Sequence, residues 1–388
     1  MIIYSAFLVP ILTALYLYFF QQRKTLWWEF FAPIAASAIT IFILKALIDT
    51  AMVRSEEYWG SIVQRVEYYE EWDQRIHRTC SEKYGCNSKG QNCKTRYYNC
   101  DYTVNHPAYW MIVTTNNEEI KIDRNEYNRL KRVFDNEHFV DMHRNYYTID
   151  GDKYYTQWDG SKDRAVPVTT SHSYVNKIKV ADQSVFHFEP VDTTDIKTYK
   201  LFDYPRIYNT YQMDPVMGDN SSDAVMANKQ LKYLNGSLGH KKQVCAFILV
   251  FKNQPLRAGF LQENYWKGGN KNEFIVCIGI DDERNVKWSK VISWTKNEEL
   301  KVEVRDFVQE QKKLNLSLTV EYLQNKIEKD FVRREFKEFD YLTVEPPVWG
   351  ITLTFIITIL VNVGVSFWVV KNEFSEEANT NRFNYFKR

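Results

Sequence analysis

The chain has 388 residues, enough for two soluble domains of ordinary size beside membrane segments. Its 50 Lys+Arg against 49 Asp+Glu leave a net charge of +1, which excludes the global basic field of a nucleic-acid binder. A mean hydropathy of -0.45 makes most of the chain compatible with water, and no block of like charge is long enough for a disordered interaction tail.

Met1 to Phe20 carries no charged side chain and has the length of a spanning helix. A secretory signal is the competing reading, but the stretch lacks a basic n-region and a following A-x-A site. After Gln21–Lys24 a second apolar run starts at Trp27 and continues to Leu44. Lys45 and Asp49 lie four apart near its end, where they can pair at the interface. Residues 1–53 therefore read as a helical hairpin in the membrane. Ala32, Ala36 and Thr40 form a stripe of small residues on its second helix, suited to close helix packing.

Residues 54–100 are expected to open with an amphipathic helix, because Trp59, Ile62, Val63, Val66, Tyr69, Trp72 and Ile76 recur at spacings of three and four. Cys80, Cys86, Cys93 and Cys100 follow in a segment rich in Ser, Gly, Asn and Lys, separated by five, six and six residues. The close C-x2-C pairs usual in zinc sites are missing, so two disulfides are expected to brace a segment without its own core. Zinc ligation, with His106 as the natural extra ligand, and unpaired thiols are the alternatives. The connectivity stays open.

Residues 101–218 read as a β-rich subdomain. Tyr109–Asp123 and Asn145–Gly160 have the pattern of hairpins, Val175–Val180 and Val185–Phe188 that of further strands, and Arg124–Phe134 that of a helix with Tyr127, Leu130 and Phe134 on one stripe. His138 and His143, with Asp135, Glu137 and Asp141, form the densest His/acid cluster. Their spacing of five suits no single helix face, so surface histidines are expected. The pattern lapses around Leu201–Gly218, where a domain boundary is placed.

Residues 219–345 change rhythm. A helix over Ser222–Leu238, a strand over Val244–Lys252, a helix near Leu256–Tyr265 and strands over Glu273–Asp281 and Val286–Trp294 precede helices near Asn297–Gln311 and Thr319–Phe336. Strands separated by helices define an α/β layer structure, with Cys245 and Cys277 as buried thiols in its apolar strands. Asp281, Asp282 and Glu283 could supply oxygen ligands to a divalent cation, although three consecutive acids cannot all face one ion and a solvated hairpin turn is the plainer reading. Gly268-Gly269-Asn270-Lys271 lacks the Ser/Thr and the helix start of a phosphate-binding loop and reads as a turn.

The stretch from Tyr265-Trp266-Lys267-Gly268-Gly269-Asn270-Lys271-Asn272 through the strand Glu273–Ile280 to Asp281 resembles the TPM-domain family, whose turn of this kind feeds an apolar strand and an acidic hairpin. The helix–strand–helix–strand–strand order over residues 222–312 and a spanning helix downstream also fit. The resemblance implies a membrane-anchored α/β domain facing the periplasm or an organelle lumen. Where that family tends to carry a glycine-rich turn, this chain reads Lys290-VISWTKN-Glu298, a departure beside any inherited metal or phosphatase-like site.

Val348–Val370 is free of charge and spans about 34 Å as a helix, enough to cross a bilayer core. Pro346-Pro347 and Lys371 bound it, and Trp349 and Trp368 stand at headgroup level, giving a span over 346–371 and a tail over 372–388. Gly350, Thr354, Thr358, Asn362 and Ser366 recur every fourth residue. Such a stripe packs helices closely within a bundle or between copies, with about 0.6–2 kcal/mol from a mid-bilayer Asn hydrogen bond. Arg23, Lys24, Lys371, Arg382, Lys387 and Arg388 put the hairpin loop and the tail in the cytoplasm and residues 54–345 outside.

The expected molecule is an α+β membrane protein in which three transmembrane helices, an N-terminal hairpin plus a C-terminal span, hold a two-part extracytoplasmic region. Its expected role is a binding or assembly module without catalysis or cofactor. Its partners are the lipid bilayer and a protein, or a further copy through the membrane helices. The alternative is an extracytoplasmic, phosphatase-like hydrolase using a divalent cation at Asp281–Glu283.

Overall fold

A computed structural model describes residues 2–20, 27–86, 92–142, 151–180, 188–206 and 213–372. The chain divides into two compact units, one made of Met1–Glu56, Ser173–Glu189 and Glu335–Arg388, the other of Glu57–His172 and Pro190–Arg334. A 3-10 turn, Ile2–Phe7, leads into α1 (Leu8–Phe20), and α2 spans Trp27–Val53.

The residue after α2 opens β1 (Arg54–Tyr69), and this corrects the amphipathic helix expected over Trp59–Ile76. Two features of β1 imitate a helical period. Residues 60–63 are all buried, and a register shift between Val63 and Arg65 interrupts the alternation of faces, as a β-bulge does. The chain continues through β2 (Trp72–Ile76), β3 (Thr79–Tyr84), β4 (Lys94–Asn99) and β5 (Tyr102–His106), which among the described residues pair as the ribbons β2–β5 and β3–β4. Then come β6 (Tyr109–Thr114), β7 (Glu119–Ile122), α3 (Arg124–Phe134), β8 (Glu137–Val140), β9 (Lys153–Gln157) and β10 (Pro167–Val175).

The first sheet has the order β7-β6-β1-β9-β8, with β10 also against β1. The Asp123 carboxylate caps α3 by accepting from the Glu126 amide at 2.8 Å, and Asp135 ends the helix in the left-handed region. Between those caps Tyr127, Leu130 and Phe134 turn one stripe onto Val63, Val66, Ile112 and Val168. The strand expected over Val175–Val180 ends at Val175 and gives way to a turn, while positions 145–150 and 185–187 of the other expected strands lie outside the described residues.

After α4 (Thr193–Thr198) come β11 (Val216–Met217), α5 (Ser222–Leu238), β12 (Cys245–Lys252), α6 (Arg257–Tyr265), β13 (Glu273–Ile280), β14 (Val286–Ser293), α7 (Glu298–Glu310) and α8 (Leu316–Asp330). The second sheet runs β11-β12-β13-β14, parallel as far as β13 and antiparallel to β14. The alternating residues of β12 and β13 enter two cores. Ala246, Ile248, Val276 and Ile278 meet α5, α7 and α8, while Phe247, Leu249, Ile275 and Cys277 meet α6 and the chain around Leu201. Burial on both faces is why these strands are continuously apolar, and each fully buried Ile, Leu or Phe contributes about 1.5–3 kcal/mol.

The two sheets meet in one unit through a buried carboxylate. Glu57 of β1 is 2% exposed and is paired with Arg333 and with Lys271 Nζ at 3.4 Å. Asn272 Nδ2 donates to the Tyr58 carbonyl at 2.8 Å beside it. Trp59 stacks on His172 with centroids 3.8 Å apart, and the Arg333 guanidinium lies 5.6 Å from the Trp59 ring.

In the other unit α9 (Val348–Asn372) packs on α2 and α1. Gly350, Thr354, Thr358, Asn362 and Ser366 are buried there, and Asn362 Nδ2 donates to Ser37 Oγ at 3.1 Å. On α2 the buried positions are Pro33, Ser37, Ile41 and Ile48, with Ala32, Ala36 and Thr40 half-buried alongside. Lys45 and Asp49 pair as expected. Two helical segments, Phe31–Val53 and Val348–Val369, are long and apolar enough to cross a bilayer, and only 22% of each is buried. Ile39, Phe42, Leu47, Ile356, Leu360 and Val363 point outward, the reverse of a helix that faces water.

Gly279 of β13 faces Trp288, and a Cβ there would lie 2.0 Å from Trp288 Nε1, which donates to the Gln254 carbonyl at 2.8 Å. Gly279→Ala is therefore expected to displace the indole and destabilise the protein by about 1–3 kcal/mol, read as a lower denaturation midpoint by tryptophan fluorescence.

Candidate functional site

A concavity with a built floor lies on the first sheet. Alternation along the strands puts Val66 and Tyr68 of β1, Ile112 and Trp110 of β6, and Thr156 and Tyr154 of β9 on one face. The apolar stripe of α3 covers the Val66 end. Past it Tyr68 stands between its register partners Trp110 and Tyr154, with centroids 5.5 and 5.9 Å away and ring planes within 12° and 24°. These three rings floor a groove of about 730 Å³. Tyr127 of α3 forms a wall, 5.9 Å from Tyr68.

Charge in the groove is uneven. Lys131 Nζ meets Glu137 Oε1 at 2.6 Å, and the Tyr127 hydroxyl donates to the same oxygen at 3.5 Å. Burial first, and then the Glu137 charge, push the Tyr127 phenol up to about 12. Glu70 and Glu71 lie at the rim beside Arg124, and among the described residues neither carboxylate has an ion-pair partner. Burial, followed by Glu70, raises the phenol pKa of both Tyr68 and Tyr154, and Arg124 opposes the shift at Tyr68. Three rings beside carboxylates that have no ion-pair partner among the described residues can seat an aromatic or cationic group by stacking and cation–π attraction.

The groove was hidden in three aromatic doublets, Tyr68-Tyr69, Tyr109-Trp110 and Tyr154-Tyr155. In a strand each doublet gives one ring to each face. Tyr69 and Tyr109 stack at 4.6 Å as register partners on the opposite face. With β1 read as a helix, that pattern could not be recognised.

The glycine turn before β13 has a structural task. Lys267, Gly268 and Gly269 all have positive φ, and Gly269 packs against the Glu273 side chain. Glu273 is 1% exposed; its Oε2 accepts from the Asn270 amide at 2.8 Å, and its Oε1 accepts from Asn270 Nδ2 at 2.8 Å and from the Tyr204 hydroxyl. Burial and the neighbouring carboxylate hold the Tyr204 phenol well above its usual value. Burial holds the Cys245 and Cys277 thiols high as well, so neither is poised as a nucleophile.

The three hairpin acids point to separate tasks. Asp281 Oδ1 accepts from the Glu283 and Asn285 amides at 3.0 and 2.8 Å, and its Oδ2 meets Asn285 Nδ2 at 2.8 Å and Lys287 Nζ at 2.9 Å. The Asn285 and Lys287 bonds hold the Asp281 carboxyl below the usual carboxylate range. Asp282 faces Lys252 at 3.3 Å, and Glu283 accepts from Asn285. The next residue, Arg284, reaches Asp219 at 2.5 Å and Asp223 at 3.6 Å, and Asp223 accepts from the first amides of α8. Among the described residues no group of three His, Cys, Asp or Glu is arranged to hold a metal ion.

Of the histidine cluster, His138 stacks on Tyr155 at 4.8 Å, Glu137 belongs to the groove, and His143 lies outside the described residues. His106 stacks on Trp72 at 4.3 Å and bonds Gln74. The four clustered cysteines form two nested disulfides, Cys80–Cys100 and Cys86–Cys93. No family model, curated protein or solved structure matches the chain.

Glu273→Ala is expected to strand the Asn270 amide and the Tyr204 hydroxyl at a cost of about 1–3 kcal/mol for each unsatisfied group, measured by chemical unfolding. A second prediction concerns His172, whose pKa is lowered from 6.5 by burial against Trp59. The unfolded chain takes up a proton before the folded one does, so stability holds above pH 6.5 and falls as pH drops below it. Denaturation midpoints between pH 7.5 and 5.5 should show that fall, and His172→Phe should flatten it.

Proposed function

We propose that the chain is a membrane-anchored binding or assembly module whose soluble region works outside the cytoplasm, with the aromatic groove as its recognition surface. In this reading Met1–Phe20 is a first span beside α2 and α9, and the basic residues of the hairpin loop and tail keep both in the cytoplasm. Residues 54–345 then face the oxidising side, in keeping with the disulfides Cys80–Cys100 and Cys86–Cys93.

The observation that carries the reading is the groove itself. Three large rings, flanked by two carboxylates without ion-pair partners among the described residues, line a cavity that no described side chain of the protein fills. Aromatic residues at that density mark the anchors of binding surfaces. The buried acids Glu57 and Glu273, by contrast, are occupied in holding the fold.

The test places a benzophenone-bearing residue at the position of Trp110 in the full chain and irradiates intact membranes, with the exposed Tyr341 position as control. An adduct of one discrete mass containing a protein chain is expected from position 110 and not from 341. Absence of an adduct, or equal labelling at both positions, would overturn the groove's role. For topology, a membrane-impermeant label on intact cells should reach a reporter cysteine placed at Tyr97 and not one placed in the tail.

A further inference from the structure

The disulfides brace a segment that has no core. Over residues 72–86 and 92–106 the chain forms an arm. β2 pairs with β5 from Trp72↔His106 to Ile76↔Tyr102, and β3 pairs with β4 from Thr79↔Asn99 to Tyr84↔Lys94. Asp101 joins the two ribbons by accepting from the Arg78 amide at 3.2 Å and pairing with His77 and Arg75. Every residue of β4 is exposed, as is all of β3 except half-buried Cys80. An isolated two-stranded ribbon is marginal in water at best, and the cross-links at Cys80–Cys100 and Cys86–Cys93 supply what packing does not.

The arm's surface is sticky and basic. Tyr97 is 72% exposed, Tyr84 50% and Tyr98 43%. Lys83, Lys94 and Arg96 outnumber Glu82. Exposed tyrosines with arginine have the composition of an interface centre, and among the described residues neither β3 nor β4 pairs with a further strand. The groove described above differs in charge, with an aromatic floor and the acids Glu70, Glu71 and Glu137 against the bases Arg124 and Lys131.

The arm grows from the rim of that groove. Glu70 and Glu71 immediately precede β2, and Ala108, which also lines the groove, lies between β5 and β6. Trp72 to Tyr84 is about 40 Å of chain at 3.3 Å per residue, and His77-Arg78, between the two ladders, is held by Asp101. Two arms laid antiparallel put each tip at the other's root. That arrangement closes on itself as a pair and leaves both grooves filled.

We propose that the disulfide-braced arm of one copy docks its tyrosine-rich, basic end in the aromatic groove of a second copy, which returns its own arm to the first. The proposal rests on the groove being a recognition surface and names its occupant. The contact pairs Lys94 and Arg96 with the groove's Glu70 and Glu71, and sets Tyr84 and Tyr98, which share their ribbon face, against Tyr68, Trp110 and Tyr154.

The experiment uses the full chain in detergent, with mass read by light scattering corrected for the micelle. The wild type is expected to be a dimer. A groove variant, Glu70→Lys with Glu71→Lys, and an arm variant, Lys94→Glu with Arg96→Glu, should each dissociate about tenfold or more easily. Mixed together they should re-form a dimer containing one of each, because both exchanged contacts are then complementary. A monomeric wild type, variants that stay dimeric alone, or a mixture that fails to pair would each overturn the proposal. A position-110 adduct carrying a different protein would also overturn it and would leave the groove's role standing.

Discussion

A carboxylate with almost no access to water is tolerable only when its charge is answered on the spot, and Glu57 is answered twice. Arg333 and Lys271 converge on its Oε1 from different parts of the chain, the first beyond α8 and the second in the turn before β13. Removing one partner of such a group typically costs about 3–5 kcal/mol, because the charge that remains has lost its solvent. β1, the glycine turn and the segment after α8 must therefore arrive together. That requirement joins the first sheet to the second, and it fixes the frame on which the aromatic face of β1, β6 and β9 is displayed.

Stability is distributed very unevenly around this junction. The second sheet is buried on both faces, with Phe247, Leu249 and Phe251 turned to one core and Ile248, Val276 and Ile278 to the other. The arm that runs from β2 to β5 is built the opposite way, with two covalent bonds and no fully buried residue in β3 or β4. Cross-links in a small region stand in for a core that the region cannot build. Holding an extended, solvent-exposed ribbon in one shape is useful when the shape itself must be presented. It has no other evident return in this fold.

Legibility followed the same division. α5 covers Ser222–Leu238 as its spacing predicts, and β12 and β13 start and stop within a residue of their apolar runs, because a strand buried on both faces spells out its limits in hydrophobicity. The fourfold repeat from Gly350 to Ser366 likewise announces a packed helix face, and all five residues are buried in α9. β1 was illegible for a local reason, since full burial over Gly60–Val63 and the shift after Val63 overwrite the period of two. The groove was illegible for a distant one. Tyr68 meets Trp110 and Tyr154 only after strands far apart in the chain have paired, and no local pattern records that pairing.

An arm with few contacts would ordinarily make a weak partner, because association must first overcome the loss of translational and rotational freedom. Two helices apolar enough to cross a bilayer change that balance. Copies confined to one membrane have already surrendered part of that freedom and meet at a high effective concentration. Under such confinement a pair of tyrosine-bearing tips and a few complementary charges can suffice where a free protein would need a large interface. The feature that would be a deficiency in solution, an arm without a core, is then well matched to a molecule held at a surface.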